Sequence, residues 1–439
     1  MDVDAFVGVG TGRGTTRGVV PVPQSSSPPF SMIVATASAS SSGDPSSEDD
    51  GVESSSGRLV GRAATVVTPP TPPPPPTMVD GLSSPLILDN YDTFLLDMWG
   101  VMHDGRAPYE GVLRAVRKLK ESGKRLIVLS NSSKRREDAE RMLVELGFDI
   151  ADFHDIVTSG DVSHRLLRGD AGGGVAGCEN WDAIDDVIAE RGAAGRRKNV
   201  FVFGSGDDDG GYCESAGWTP SSVEDADLLL ARGTFTIDDG SGTVIHKGDN
   251  EALYWEVMER SMMVASRRKL PMLVSNPDKV RPDAGSKTPM PGAIGDAYER
   301  FVWTTNCNPV GDMTEEGARS YVRRIGKPFG EVYDIALSSV SSSMSSSSSS
   351  SSDDDDEDGR RRDRVIMIGD ALETDVVGGD NAGIDVLWVV NDGIHGADVR
   401  ADGMGGVDGA LGRFNRNNEH TYAYGRVVAP RYATDHFRW

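Results

Sequence analysis

Four short polar signatures, each at the end of an apolar run or the start of a helix, follow one another along this chain in a fixed order. Asp97 closes Phe94-Leu95-Leu96 and opens the run Asp97 to Gly105; Ser130 ends the run Arg125-Leu126-Ile127-Val128-Leu129. Lys327 stands in Gly326-Lys327-Pro328, and Asp370 and Asp375 stand in G-D-A-L-E-T-D after Val365-Ile366-Met367-Ile368. Any one of them is an ordinary strand end, turn or cap. Together they point to an open parallel sheet, because there the carboxyl ends of several strands converge on one crevice and deliver their side chains to one place.

The periodicity supports that architecture. Thr93 to Trp99 reads as a buried strand, Gly111 to Gly123 as a helix with Val112, Leu113, Val116 and Leu119 on its apolar side, and Arg125 to Ser130 as the next strand. This is a β-α-β unit, whose strands run parallel. A further helix from Lys134 ends at Gly147. From about Thr158 to Pro289 the alternation repeats on its own: strand Val200 to Phe203, strand Leu228 to Ala231, hairpin Thr234 to His246, helix Glu251 to Ala265, strand Leu270 to Ser275. About two hundred residues separate Ser130 from Lys327, enough for a whole second domain. Helices at Gly292 to Phe301 and Phe329 to Leu337 then lead to strands Val365 to Ile368 and Val386 to Val390.

Two segments lack the apolar residues a core needs. Residues 1–85 carry serine runs and the proline run Pro69 to Pro76, and residues 338–364 carry a long serine run, the acids Asp353 to Asp358 and the bases Arg360 to Arg362. Both read as disordered, low-complexity sequence. Arg13 and Arg17, with abundant Ser, Thr and Gly, also permit an organelle transit peptide, although Asp2 and Asp4 oppose it. The domain reading is therefore a tail over 1–85, core over 86–157, inserted domain over 158–290, core again over 291–337, insert over 338–364 and core over 365–439.

The formal net charge of −23 belongs mainly to the folded parts, and such a surface repels phosphate backbones, which excludes nucleic acid as a partner. No stretch approaches the roughly 20 apolar residues of a membrane span. Cys178, Cys213 and Cys307 are widely spaced and form no ligand pattern, which suits a reducing, intracellular compartment, cytoplasmic by default with plastid or mitochondrion as the alternative. The run Gly204 to Asp209 lacks calcium-loop spacing and reads as a polar loop.

The four signatures in this order resemble the haloacid dehalogenase-like (HAD) hydrolases, and more closely their class IIA branch, over roughly residues 86–439. The resemblance implies a Rossmann-like parallel-sheet core with an inserted α/β cap domain between the second and third signatures, and Phe437-Arg438-Trp439 looks like the closing strand. It also implies a Mg²⁺-dependent phosphatase acting on a small phosphorylated metabolite through an aspartyl-phosphate intermediate. Asp97 matches the nucleophile; Ser130, with Asn131 beside it, matches the phosphate-binding position; Lys327 matches the cation that holds nucleophile and phosphate together. Asp97, the backbone carbonyl of Trp99, Asp370 and Asp375 match the metal site, and Asn276 and Asp278, in Asn276-Pro277-Asp278, match a substrate-side loop near the cap.

Trp99 departs from the pattern. Phosphatases of this kind carry an Asp there as general acid and base, help worth about 10²–10⁴ in rate. Three accounts stand open: His103 or Asp104 takes over proton transfer, His being the residue that titrates in the useful range; the substrate has a good leaving group; or the protein is a catalytically weak HAD-fold ligand-binding or regulatory protein. Dehalogenases place an aromatic residue here too, but they work without metal, and Asp370 and Asp375 argue for phosphoryl chemistry.

Overall fold

The computed structural model describes residues 74–169, 198–206, 208–281, 288–307, 313–344, 364–401, 405–418 and 421–439. The transit-peptide reading near the N-terminus, Cys178 and most of the Ser/Asp insert lie outside these residues.

Two sheets organise the chain. The first has seven parallel strands in the order Thr77–Met78, Tyr432–Thr434, Asp385–Val389, Val365–Gly369, Thr93–Leu96, Arg125–Ser130, Asp155–Thr158. Its central strands are buried on both faces, which is why they are near-continuous runs of Leu, Ile and Val rather than alternating ones. The helix Val112–Glu121 lays Val112, Ala115, Val116 and Leu119 against one face, the spacing of a single helical stripe.

The second sheet runs Val322–Arg324, Met272–Val274, Leu228–Ala231, Lys198–Gly204, Thr236–Asp238, Val244–His246, with Trp218–Pro220 beside Lys198–Gly204. The strands of the Thr236–His246 hairpin are antiparallel and the rest parallel. Helix Glu251–Arg268, capped by Asn250 accepting from Leu253 N at 3.1 Å, packs Met258 and Met262 against it. A continuous apolar layer joins the sheets: Leu95, Ile127 and Leu129 of the first connect through Val162, Leu166 and Leu167 of helix Ser159–Arg168 to Val200, Leu228 and Leu273 of the second.

Four expectations change. Helix Pro291–Asn306 and strand Val322–Arg324 belong with the second sheet, not the first: Ile294, Ala297, Tyr298 and Val302 fill its core, and the chain leaves it only after Arg324. The tail is shorter than 85 residues, since Thr77 and Met78 pair with Tyr432 and Ala433, and Val79 and Leu82 are buried. The helix read as ending at Leu337 continues from Gly330 to Met344, with Val340 buried in the core. The closing strand is Tyr432–Thr434, paired on both sides, whereas Phe437 plugs the core and Arg438 O accepts from Leu82 N at 2.9 Å. Among the described residues no helix is long and apolar enough to cross a membrane.

Candidate active site

Parallel registration brings the signatures together. Leu96 pairs with both Ile368 and Val128, so the residues that follow, Asp97, Gly369-Asp370 and Leu129-Ser130, emerge side by side at the carboxyl edge, and Asp97 N donates to Ile368 O at 2.9 Å. Lys327, brought back by the chain leaving the second sheet, is only 2% exposed; its Nζ lies 2.5 Å from Asp97 Oδ1 and 2.7 Å from Asp375 Oδ1. Asp97, Asp370 and Asp375 are all buried, and each presents a carboxylate oxygen within 4.8 Å of the others.

Three buried carboxylates thus face one ammonium. Burial raises the Asp97 carboxyl to about 7; Lys327 pulls it back, while Asp375 and Asp278 push it further up. Asp370 is pushed well above the usual carboxylate range by burial and then by Asp97 and Asp375. Burial opposes the Lys327 charge, but Asp375 and Asp97 outweigh it and hold the ammonium protonated.

The donor set fits a hard divalent cation. It is all oxygen, carries two more acids than ammoniums, and includes Asp375 Oδ1, whose one close partner is the Lys327 ammonium at 2.7 Å. The backbone makes room: a Cβ on Gly100 would lie 2.4 Å from Asp370 Cγ, and one on Gly393 2.0 Å from Asp370 Oδ2. Gly100 also has φ +90°, so a side chain there would be strained twice over. Ile394 N donates to Asp370 Oδ2 at 2.7 Å and the Trp388 indole donates to Asp370 O at 2.8 Å, which fixes the carboxylate's direction.

The remaining sequence candidates divide. Ser130 is 7% exposed at the same edge, its Oγ accepting from Ser132 N at 3.2 Å. Trp99 is half-buried, its ring lying over Gly105 and within reach of the Arg281 guanidinium, 5.9 Å from the ring centroid; its backbone runs directly into Gly100 beside Asp370. Asn276 is buried and its Oδ1 accepts from Asp278 N at 2.9 Å, which closes its own turn.

His103 and Asp104 are bound into their loop. His103 is fully buried, its Nδ1 accepts from Gly105 N at 2.9 Å, and burial lowers its pKa to about 4, so it is a neutral imidazole at neutral pH whose remaining ring proton, on the buried Nε2, is not acidic. Asp104 Oδ1 accepts from Arg106 N and Ala107 N, each at 2.8 Å, bonds that hold its carboxyl low. Asn131 also differs from expectation. Its Oδ1 accepts from Lys327 N at 2.7 Å and its Nδ2 donates to Asp278 Oδ1 at 2.8 Å and to Lys327 O at 3.1 Å, so no side-chain donor is left for a phosphoryl oxygen.

Sequence reading missed the network behind the Asp370–Asp375 turn. Lys279 bridges Glu373 at 2.9 Å and Asp296 at 3.1 Å. Arg324 bridges Asp296 at 2.8 Å and Glu299 at 2.6 Å, and Tyr422 donates to Pro277 O at 2.6 Å while its N donates to Glu373 Oε1. Glu373 was in view, between Asp370 and Asp375, but its partners come from far along the chain.

A family model described as haloacid dehalogenase-like hydrolase matches residues 94–215, and one described as HAD-hydrolase-like matches residues 324–405. Among solved structures, a haloacid dehalogenase-like family hydrolase from Brucella suis 1330 is similar, at 21% identity and TM-score 0.52, over 82% of this chain and all of that one. A possible sugar phosphatase of the HAD superfamily from Cytophaga hutchinsonii ATCC 33406 is similar at 15% identity and TM-score 0.51, over 82% of this chain and 98% of that one. A search of curated proteins gives no match.

Proposed function

The chain belongs to the haloacid dehalogenase-like hydrolases, and from that premise we propose that it is a Mg²⁺-dependent phosphatase of small phosphorylated metabolites. The second sheet, entered after Ser130 and left before Lys327, fits the class IIA branch. The observation that carries the reading is the buried carboxylate Asp97 held at 2.5 Å by Lys327 beside Asp370 and Asp375. A module that only binds has little use for a nucleophile aimed at such a centre.

Asp97 would use one carboxylate oxygen to attack phosphorus as the bond to the leaving oxygen breaks, giving an aspartyl-phosphate; water then cleaves the acyl phosphate, releasing inorganic phosphate and restoring the carboxylate. Lys327 balances charge on both the nucleophile and the equatorial oxygens, and the Ser130 hydroxyl donates to one of these oxygens. Asp97, Asp370, the Trp99 carbonyl and Asp375 would hold Mg²⁺, which neutralises phosphoryl charge and keeps Asp97 ionised despite its raised pKa. The Asn276-Pro277-Asp278 turn would stand on the substrate side through its backbone, since Asn276 Oδ1 accepts from Asp278 N and Asp278 Oδ1 from Asn131 Nδ2.

The proton for the leaving group is the weak point. Trp99 cannot supply it, and His103 and Asp104 are engaged as described. This favours a substrate whose leaving group departs without protonation, such as an acyl phosphate, over an alkyl phosphate such as a sugar phosphate, although one similar structure is that of a possible sugar phosphatase. The same observation favours the second reading, a ligand-binding protein on this fold.

The test is phosphate release from a panel of phosphometabolites that includes an acyl phosphate, in Mg²⁺ or EDTA, for the wild type and Asp97→Asn. Mg²⁺-dependent release that disappears in the variant supports the phosphatase. No release from any compound by a folded wild type turns the reading to the binding protein.

A further inference from the structure

Three parts of the fold meet at Gly326-Lys327. Gly326 has φ +131°, and a Cβ there would lie 2.4 Å from Ser159 Oγ, 2.6 Å from Asn131 Oδ1 and 2.7 Å from Pro277 Cδ. The backbone is therefore threaded between the end of strand Arg125–Ser130 and the Asn276-Pro277-Asp278 turn of the second domain, in a space and a conformation that only glycine fits.

Asn131 is the side chain that fixes the next residue. Its orientation is unambiguous: Lys327 N can only donate, so it selects Oδ1, while Lys327 O and the Asp278 carboxylate can only accept, so they select Nδ2. Both main-chain polar groups of Lys327 are thus bound to one carboxamide, which is itself 4% exposed and tied on its far side to Asp278. The Lys327 ammonium, at the other end of a flexible four-carbon stem, is 2.5 Å from the proposed nucleophile.

We infer that Asn131 is a positioning residue, not a phosphate ligand: it sets the Lys327 backbone, and through Asp278 it makes the placement of that lysine depend on the docked second domain. The kinetic consequence rests on the phosphatase reading; the structural consequence does not. An unclamped lysine keeps its charge but loses its address, and misplacement of a catalytic group by about 1 Å costs on the order of 10²-fold in rate.

The experiment compares wild type, Asn131→Ala, Asp278→Ala, Asp278→Asn and the double alanine variant by two readouts. The first is acetylation of Lys327 by an amine-directed reagent, followed by peptide mass spectrometry, with Lys118, whose side chain is 42% exposed, as internal reference. Asn131→Ala is expected to label at Lys327 about tenfold faster than wild type at unchanged Lys118 labelling, as local opening of a single clamp requires. The second is steady-state phosphate release. The single alanine variants are expected to lose kcat, Asn131→Ala about 10²-fold, with KM within about threefold, and the double variant to fall no further than Asn131→Ala alone. Asp278→Asn, whose amide oxygen still accepts from Nδ2, should lose less than Asp278→Ala. Unchanged protection of Lys327, or a rise in KM at constant kcat, overturns the inference and returns Asn131 to substrate contact. If the wild type releases no phosphate, the phosphatase reading fails while the labelling still decides the clamp. Should Asn131→Ala not fold, Asn131→Asp, which keeps an acceptor for Lys327 N and loses both donors, carries the same test.

Discussion

Two of the buried carboxylate–cation centres among the described residues differ in their balance of charge. Asp209, in the second domain, accepts from Ser205 N, Ser205 Oγ, Gly206 N and Thr236 Oγ1 at 3.0–3.1 Å and pairs with Arg232 at 2.5 Å, whose guanidinium lies 3.7 Å from the Tyr212 ring centroid. One acid meets one base and both Asp209 oxygens are filled with donors, although Arg232 Nε is left without a partner. Around Asp97, three acids meet one base, which Asp97 and Asp375 share. A buried ion pair that is neutral is scaffold; one with surplus charge costs free energy that a bound cation would repay, and on the proposed reading that surplus marks the reacting centre.

The contrast is broken most directly by removing the acid from each centre. Asp97→Asn is expected to lower phosphate release by more than about 10⁴-fold, since the carboxamide cannot form the aspartyl-phosphate, while the protein unfolds at the same temperature as wild type or higher. A variant that retained a tenth of the activity would remove Asp97 from the nucleophile's role. In the balanced centre the expectation reverses. Arg232→Met leaves the Asp209 charge buried without its partner and should cost about 3–5 kcal/mol of stability in urea unfolding. A loss under about 1 kcal/mol would show that the four hydrogen bonds suffice and that the arginine is incidental.

A third buried group tests whether burial alone, without surplus charge, gives a pH response. His164, 2% exposed at the junction of the two domains, lies with Nε2 3.3 Å from Arg135 Nη1 and 2.9 Å from Ser215 Oγ. Arginine can only donate, so the imidazole must accept there and stay neutral, and burial with Arg135 lowers its pKa from 6.5 to about 4. A depressed histidine is neutral in both states above pH 6.5, and between 6.5 and 4 only the unfolded chain takes the proton. Stability is then lost as pH falls through that window, by ~3 kcal/mol at most for this residue. His103 contributes in the same direction. Urea unfolding at pH 7.5 and 5 should show the loss, and His164→Gln should flatten it by about half; an equal slope in the variant would assign the whole effect elsewhere.

The parts of this molecule legible in its sequence are those where a local pattern carries the information. The strand-end residues Asp97, Ser130 and Asp370 were visible because buried parallel strands announce themselves as apolar runs and their next residue must emerge at the crevice. Strand Asp155–Thr158 was not, since its four residues make too short a run, nor was Thr77–Met78, whose place is set wholly by pairing with Tyr432–Thr434. The boundary at Pro291 misled for a similar reason: a helix's apolar stripe says that it packs, not on which sheet. Partnerships across long separations were the least legible. Asn131 is 196 residues from Lys327, and Lys279, Glu373 and Tyr422 meet only because the turn after the second domain's strand folds back over the Asp370–Asp375 turn. Proximity along the chain suggested that Asn131 shared Ser130's role, and only the fold shows its polar atoms already taken.

The smallest expected effect bears on the surplus charge itself. If the Asp97 centre is strained by its extra carboxylates in the absence of a cation, Asp370→Asn should relieve it, because Asp370 is the acid whose charged form burial and neighbouring Asp97 disfavour most plainly. In EDTA the variant should melt higher than the wild type by about 2–4 °C, the shift of roughly 1 kcal/mol in a domain of this size. Addition of Mg²⁺ should then invert the order, since a cation that binds only the folded wild type adds about 2.7 kcal/mol at a hundredfold excess over its dissociation constant, and the amide has lost the charge that holds it. The sign of the difference in EDTA is decisive. A variant less stable than wild type without metal would mean that Asp370 is held by Ile394 N and the glycines around it as a satisfied structural acid, like Asp209, and the distinction between the two centres would then rest on Asp97 and Asp375 alone.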